Sequence, residues 1–213
     1  MGSIALLAAV APIFAVLWYF AARDRFRLGG EPLALAVLLG AVVLIPVAGV
    51  ELAVGLLVNR IDGVYANALA NAFLSAAIPE ELAKLAILLF FVLRHPDVTR
   101  PAEAFLLAIF VALGFAGVEN ILYVLESPEW EKVALVRAAT TVPSHAADGA
   151  VMGYFAARTL SDNRHRNRNL VMMAAAPILL HGLYDFPLFA MESASIAGHG
   201  RDATQDWALT TLF

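Results

Sequence analysis

Long runs of apolar residues constrain this chain more than any other feature of its sequence. A helix needs about 20 apolar residues to cross a bilayer, and six segments reach that length. They cover residues 3–22, 33–58, 66–93, 104–125, 133–157 and 170–191. The composition agrees, because only 15% of the residues are charged, against about 25% in a typical soluble domain, and 61% are hydrophobic. The sequence therefore predicts an all-α, polytopic transmembrane helical bundle.

The segments form one integral-membrane domain over residues 1–213, because the connections between them are short. Residues 1–58 hold two N-terminal spans, and residues 66–191 hold a four-span core. The first span has no basic residues before it, unlike a cleaved signal peptide, and is expected to be retained. The end of the polar tail, "DWALTTLF", fits an interfacial anchor or the start of a seventh span. The bundle thus has six to seven spans.

Basic residues in the loops predict the orientation, because cytoplasmic loops of membrane proteins are enriched in them. The nine that follow spans one, three and five are Arg23, Arg25, Arg27, Arg94, Arg100, Arg158, Arg164, Arg166 and Arg168. The four in the opposite loops are Arg60, Lys132, Arg137 and Arg201. We therefore expect both termini outside. The basic residues form no face large enough to bind nucleic acid. The expected surroundings, from the apolar segments, are the lipid bilayer.

Ionisable residues within the apolar segments are the candidate functional residues. A charge at the bilayer centre costs at least about 2.5–3.5 kcal/mol, so such residues face the bundle interior. They are Glu80, Glu81 and Lys84 in span three, Glu119 with Asn120 in span four, His145 and Asp148 in span five, and His181 and Asp185 in span six. The first two spans carry only Glu51, near an outer end. With no cysteine in the chain, a thiol nucleophile is excluded.

Spacing and depth place these residues at one site. Glu80 and Lys84 are four residues apart, as are His181 and Asp185, so each pair shares a helix face. Lys84 can then neutralise one carboxylate of span three and leave the other for chemistry. At about 1.5 Å per residue, the depths of the polar groups overlap in the middle-to-outer half of the membrane.

Prolines and glycines accompany the polar residues. A proline removes a helical hydrogen bond, which a membrane tolerates beside a wet cavity. The prolines are Pro79, Pro143 and Pro177, each one to four residues before a candidate residue. We expect them to open their helices locally. Gly149 and Gly153 form a GxxxG pattern, which is typical of close helix packing.

Four motifs in this order resemble those of the PrsW family of intramembrane proteases. They are "PEELAK" (79–84), "GFAGVEN" (114–120), "SHAADGAVMGY" (144–154) and "HGLYD" (181–185). The related CAAX prenyl-protease and ABI group has an arginine one place later than Lys84, so the lysine favours PrsW. The resemblance implies an ABI-like bundle in a bacterial plasma membrane. It also implies cleavage of a membrane-anchored protein substrate, as in site-1 cleavage of an anti-sigma factor from the outer side.

The resemblance also suggests a mechanism. We expect Glu80 to take a proton from water, with His145 or His181 positioning that water. Glu81 pairs with Lys84 in this scheme, although the sequence does not decide which glutamate is the base. The other histidine or Asn120 stabilises the oxyanion, and Asp185 holds the tautomer of His181.

A metal-dependent form and two other classes of protein stay open. The family has been described as glutamic-type and as metallopeptidase. His145, His181 and either Glu119 or Asp185 offer the three ligands of a divalent ion such as zinc. We prefer the form without a cofactor, since the zinc motif HExxH is absent from the sequence. Intramembrane carboxylates and histidines also occur in proton-linked transporters and in non-catalytic binding proteins.

Overall fold

The computed structural model describes residues 2–23 and 28–199, with side chains as far as residue 194, and these ranges contain helices and no strand. The α-helices are α1 (Gly2–Ala22), α2 (Gly30–Val58), α3 (Val64–Ala70), α4 (Ile78–Phe90), α5 (Glu103–Glu126), α6 (Trp130–Ala139), α7 (Thr141–Ser161) and α8 (Arg166–His199). A π-helix (Asn71–Ala77) joins α3 to α4. Short 3-10 turns cover Val92–Arg94 and Asn163–His165. The all-α prediction is confirmed for these ranges.

Four helical segments are long and apolar enough to cross a membrane. They are Gly2–Ala22, Gly30–Val58, Glu103–Glu126 and Asn163–Ala194. The third predicted span is divided between α3, the π-helix and α4, and the fifth is divided between α6 and α7 at Thr140. Neither of these two segments is among the four helical segments that are long and apolar enough to cross a membrane. Residues 200–213, for which an interfacial anchor or the start of a seventh span was expected, lie outside the described residues, as do Arg25 and Arg27.

Helix α5 lies at the centre of the bundle. Of its apolar stretch 67% is buried, against 17–22% for the other three membrane-crossing segments. It packs against α1, α2 and α7. The outer helices instead expose large apolar side chains, such as Leu7, Phe14 and Ile45. Exposed apolar side chains on helices of this length suit contact with lipid chains rather than water.

Glycines let the backbones of neighbouring helices touch α5. A Cβ atom at Gly114 would collide with the backbone carbonyl of Val37 in α2, and one at Gly40 would collide with that of Val111. On the opposite side, a Cβ at Gly149 would lie 2.8 Å from a carbonyl oxygen of α5, and one at Gly153 would lie 2.6 Å from a Cα atom. The GxxxG pattern is therefore a packing device, as predicted.

Two of the three prolines mark an irregularity in their helix. Pro79 lies in the first turn of α4, which directly follows the π-helix, in which the backbone is wider than in an α-helix. Pro143 lies in the first turn of α7, after the break at Thr140. Pro177 instead lies inside α8, which continues through it. The predicted opening is therefore present at two positions and absent at the third.

Replacing Gly114 by alanine tests the contact between α2 and α5. We expect Gly114→Ala to destabilise the protein by about 1–3 kcal/mol, because the added methyl group meets backbone atoms that cannot turn away. Gly117→Ala is the matched control, since its Cβ would lie at an ordinary 3.7 Å from the Ile13 side chain. Unfolding of purified protein in detergent measures both. Equal stability of the two variants would contradict the close packing.

Candidate active site

Predicted site residues from four helices line one cavity of about 310 Å³. Glu80 comes from α4, Glu119 from α5, His145 from α7, and His181 and Asp185 from α8. The irregular third segment positions the first of these, because the π-helix ends immediately before α4 and its acidic first turn. The structure thus brings together residues that lie far apart in the sequence.

Lys84 lies behind the cavity and is bonded on three sides. Its Nζ atom lies 2.9 Å from Glu80 Oε2, 2.7 Å from Glu81 Oε1 and 3.2 Å from His145 Nδ1. The Phe115 ring covers it, with 4.2 Å between Nζ and the ring centroid. An ammonium group has three donors and no acceptor, so these contacts use its full capacity. The ring nitrogen of His145 must be the acceptor.

His181 lies between two carboxylates. Its Nδ1 atom is 2.8 Å from Glu81 Oε1, and its Nε2 atom is 3.1 Å from Asp185 Oδ2 and 3.9 Å from Glu80 Oε1. Ionised carboxylates only accept hydrogen bonds. Both short contacts are therefore satisfied together when each ring nitrogen carries a hydrogen, which is the imidazolium form. The pairing of His181 with Asp185 follows the four-residue spacing in the sequence.

His145 belongs to a second chain of contacts, which ends at Arg137. Its Nε2 atom donates to Glu119 Oε2 over 2.8 Å, and Arg137 Nη2 lies 2.8 Å from the same oxygen. Arg137 Nε also donates to Asn120 Oδ1 over 2.7 Å, and the Asn120 amide donates to the Ala9 carbonyl over 3.2 Å. Asn120 is buried and does not line the cavity, so it connects α1, α5 and α6.

The two adjacent glutamates face different surroundings. Glu80 lines the cavity and is 5% exposed, whereas Glu81 is fully buried and lies behind it. One oxygen of Glu81 bonds both Lys84 and His181, and its second oxygen has no hydrogen-bond partner in the described part of the chain. A group that must exchange protons with water or substrate needs access to them. Of the two, Glu80 has that access.

Two charged residues of the cavity wall were not among the predicted site residues. Arg137 was counted as a cation of an outer loop, but it is 9% exposed and stacks on Tyr123, 4.0 Å from the ring centroid. Its position inside the apolar segment 133–157 was the available signal. Glu51 was noted only near an outer end of span two. It lines the cavity, as Glu80 does.

The contacts of Asp148 and Tyr184 are those of structural rather than catalytic residues. Asp148 is 1% exposed, and one of its oxygens has no hydrogen-bond partner among residues 2–23 and 28–199. It lies beside the charges of Glu81, His181 and Lys84 but does not line the cavity. The Tyr184 hydroxyl lines the cavity and lies 2.9 Å from the hydroxyl groups of both Thr140 and Thr141. It therefore ties α8 to the break that precedes α7.

The carboxyl groups outnumber the permanent cations among the described residues of this site. Six carboxyl groups face two such cations, Lys84 and Arg137. The six are Glu51, Glu80, Glu81, Glu119, Asp148 and Asp185. Uncompensated charge is costly in an apolar medium, so protons on histidine and carboxyl groups, or another cation, must reduce the excess.

The hydrogen bonds of His145 oppose its use as a ligand of a divalent ion. Glu80, Glu81, His145 and His181 each offer a ligand atom, and these atoms lie within 4.8 Å of one another. The predicted ligand Glu119 is not in this group. Lys84, however, bonds three of the four, and His145 accepts from it at one nitrogen while donating to Glu119 at the other. A metal ligand needs a free lone pair, which His145 lacks while Lys84 is in place.

Comparisons with known proteins agree with the motifs. Residues 31–203 match the family model described as the PrsW family intramembrane metalloprotease. Protease PrsW of Halalkalibacterium halodurans is 34% identical over 84% of this chain and 81% of its own length. Protease PrsW of Geobacillus kaustophilus is 34% identical over 87% and 80%, and that of Bacillus subtilis is 31% identical over 87% and 83%. No solved structure matches the chain.

Removing the lysine at the centre of the cluster tests its role. We expect Lys84→Met to destabilise the protein by about 3–5 kcal/mol, because two buried carboxylates then lose their counter-charge. The double variant Lys84→Met/Glu81→Gln should recover part of the loss. Unfolding in detergent measures the differences.

Lys132→Met provides the control for this substitution. Lys132 bonds Glu129 at 2.9 Å, but both side chains are exposed, and such pairs contribute about 1 kcal/mol or less. A loss at Lys84 no larger than that at Lys132 would contradict the central role of the buried ammonium.

Proposed function

Because the chain belongs to the PrsW family of intramembrane metalloproteases, we propose that it is an endopeptidase that hydrolyses membrane-anchored proteins with a water activated by Glu80. One observation carries the assignment of the base. Glu80 is the glutamate of the pair that lines the cavity, while Glu81 lies behind it and holds Lys84 and His181.

Hydrolysis begins with the transfer of a proton from water to Glu80. The water oxygen attacks the carbonyl carbon of the scissile peptide bond and forms a tetrahedral oxyanion. Glu80 then delivers the proton to the leaving nitrogen, and the carbon–nitrogen bond breaks to give a carboxyl group and an amine. A positioned base of this kind contributes about 10²–10⁴-fold to the rate.

His181 is the group that we assign to oxyanion stabilisation. It is held by Glu81 and Asp185 in a geometry that satisfies the imidazolium form. Because both N–H groups are bonded to carboxylates, His181 acts in our scheme through its positive charge, which stabilises a developing oxyanion. His145 is fixed between Lys84 and Glu119, and in our scheme it positions the water indirectly, by holding Glu119 at the cavity wall. Asn120 and Arg137 hold Glu119 in place and act through it.

Replacement of each glutamate separately tests the assignment of the base. Glu80→Gln should lower the rate of peptide hydrolysis by at least about 100-fold. Glu81→Gln leaves the base Glu80 in place, so it should lower that rate less. Purified protein and a panel of single-span membrane proteins, anti-sigma factors among them, are reconstituted together in liposomes, and the products are identified by mass spectrometry.

Glu103→Gln is the matched control, because Glu103 is also a buried carboxylate but lies at the start of α5, where it accepts from Thr99 and Arg100. It should retain the wild-type rate. Unchanged hydrolysis by Glu80→Gln would remove Glu80 as the base, and failure of the wild type to cleave any member of the panel would contradict the proposed activity.

A metal-dependent mechanism is the second candidate, and the excess of carboxyl groups favours it. It requires His145 to release Lys84 so that its imidazole, with that of His181, becomes free to bind. We expect purified protein to contain no stoichiometric divalent metal and to retain its hydrolytic rate in the presence of chelator. Elemental analysis decides between the two. One zinc ion per chain, lost in His181→Ala, would contradict the metal-free mechanism.

The membrane arrangement that we propose has six crossings, an ABI-like bundle and both termini outside a bacterial plasma membrane. The third crossing consists of α3, the π-helix and α4, and the fifth consists mainly of α7. Helix α7 has 21 residues. A helix of that length spans roughly 30 Å, which matches the hydrocarbon core of a bilayer.

Single cysteines report the sidedness of this arrangement directly, because the chain has no cysteine of its own. An impermeant maleimide should label Ser127→Cys in intact cells and leave Ser161→Cys unlabelled, since the two residues end α5 and α7 on opposite sides of the proposed bundle. The reverse pattern would overturn this topology.

The substrate class follows from the same arrangement. The site is predicted to lie in the middle-to-outer half of the membrane, and this depth suits a protein whose membrane anchor is reached from outside the cell. An anti-sigma factor cleaved at site 1 is the specific substrate that we propose, by extension from the family resemblance.

A further inference from the structure

The cavity continues beyond the candidate active site along the π-helix. Past Glu80 its wall is formed by Ser75 and Asn71 of the π-helix and by Asn59, which ends α2. The mechanism uses none of these three residues. They are polar side chains in a part of the cavity that is otherwise lined by apolar residues such as Leu52.

A ladder of hydrogen bonds fixes these side chains. The Asn71 amide donates to Asn59 Oδ1 over 3.0 Å and to Asn67 Oδ1 over 3.0 Å, and the Ser75 hydroxyl donates to Asn71 Oδ1 over 3.3 Å. Ser193 extends the ladder from α8 by donating to Asn67 over 3.2 Å. Asn67 and Ser193 do not line the cavity. The ladder therefore forms a rigid polar strip, and only one side of this strip faces the cavity.

Hydrogen-bonding capacity remains on the side that faces the cavity. The Asn59 amide hydrogens have no acceptor among the described residues. The Ser75 oxygen donates its own hydrogen but accepts none from the described part of the chain. The strip thus offers both a donor and an acceptor, which is the combination that a peptide group requires.

A substrate segment inside the membrane needs such partners. Cleavage requires an accessible peptide bond, so a transmembrane helix must unwind locally, and each unpaired peptide group in an apolar medium costs several kcal/mol. On the other wall, Leu44, Leu52 and Leu188 supply apolar surface for the substrate side chains. The cavity combines polar contacts for a main chain with apolar contacts for the side chains of a membrane segment.

The spacing along the helix sets a register. Ser75 precedes Glu80 by five residues, which would span about 7.5 Å in a regular α-helix and slightly less here, because Ser75 lies in the π-helix. An extended peptide advances about 3.3 Å per residue. A main chain that presents its scissile bond to Glu80 would therefore meet Ser75 about two residues away.

We propose that Asn59, Asn71 and Ser75 form a binding site for the extended main chain of the substrate. This site rests on the proposed function for its occupant, but its recognition chemistry is independent of hydrolysis. Because it contacts peptide groups and not side chains, it holds many different membrane segments in the same register against Glu80.

Backbone-edited peptides test this site without any cleavage. The probe is a fluorescent synthetic peptide long enough for one membrane span, and its binding to the Glu80→Gln protein in detergent is followed by anisotropy. Single peptide bonds are replaced one by one with esters, which removes one N–H group and leaves every side chain unchanged. One ester should weaken binding about fivefold, the effect of one lost hydrogen bond.

Ser75→Ala identifies the partner of that N–H group. In the Glu80→Gln background, this variant should bind the unmodified peptide about fivefold more weakly and should no longer distinguish it from the sensitive ester. Ser193→Ala is the matched control, because it removes the same kind of hydroxyl from the same ladder at a position outside the cavity. It should keep the discrimination between peptide and ester.

Three results would overturn the binding site: no ester weakens binding, Ser75→Ala keeps the discrimination, or Ser193→Ala loses it equally. The outcome is separable from that for hydrolysis. Intact discrimination with no cleavage by the wild type would retain the binding site and remove the protease assignment. Cleavage by the wild type without discrimination between peptide and ester would retain the protease assignment and remove the binding site.

Discussion

The ammonium group of Lys84, enclosed by Glu80, Glu81 and His145, is the interaction on which the rest of this site depends. Two carboxylates one residue apart repel each other, and an apolar surrounding strengthens that repulsion. Lys84 compensates them and, through its third hydrogen bond, fixes the acceptor nitrogen of His145. One cation therefore sets the charge of α4 and the ring orientation of a residue on α7.

The enclosure of Lys84 also separates the roles of the two glutamates. Glu81 is fully buried, and the oxygen that bonds Lys84 also bonds His181 and so fixes that ring. Glu80 lines the cavity, and only one of its two oxygens is bonded to Lys84. In the proposed mechanism, the same pairing that makes the charges tolerable in a membrane leaves one carboxylate able to exchange a proton. The excess of the remaining carboxyl groups is the feature that a metal-dependent alternative would explain.

The sequence was sufficient to predict the helical membrane architecture and the family, because apolar length and four ordered motifs are both local signals. It also predicted the pairing of His181 with Asp185, which depends only on helical spacing. Arg137 was misassigned because a cation near a segment end reads as a loop residue, and its burial depends on the partners Glu119 and Asn120. The position of Glu51 in the cavity wall was also missed, because the residues around it, such as Glu80, belong to a different helix. The π-helix has no sequence signature distinct from the apolar run that contains it.

Direct attack by water is the central claim, and isotope labelling in a single turnover tests it. The reaction is run in H₂¹⁸O with protein in excess over a cleaved substrate, and the product and the protein are both analysed by mass spectrometry. Attack by a water activated by Glu80 predicts one ¹⁸O in the new carboxyl group of the product after the first turnover and no ¹⁸O in Glu80. Unlabelled product together with ¹⁸O in Glu80 would instead show that the carboxylate itself attacks the peptide, which would contradict the account.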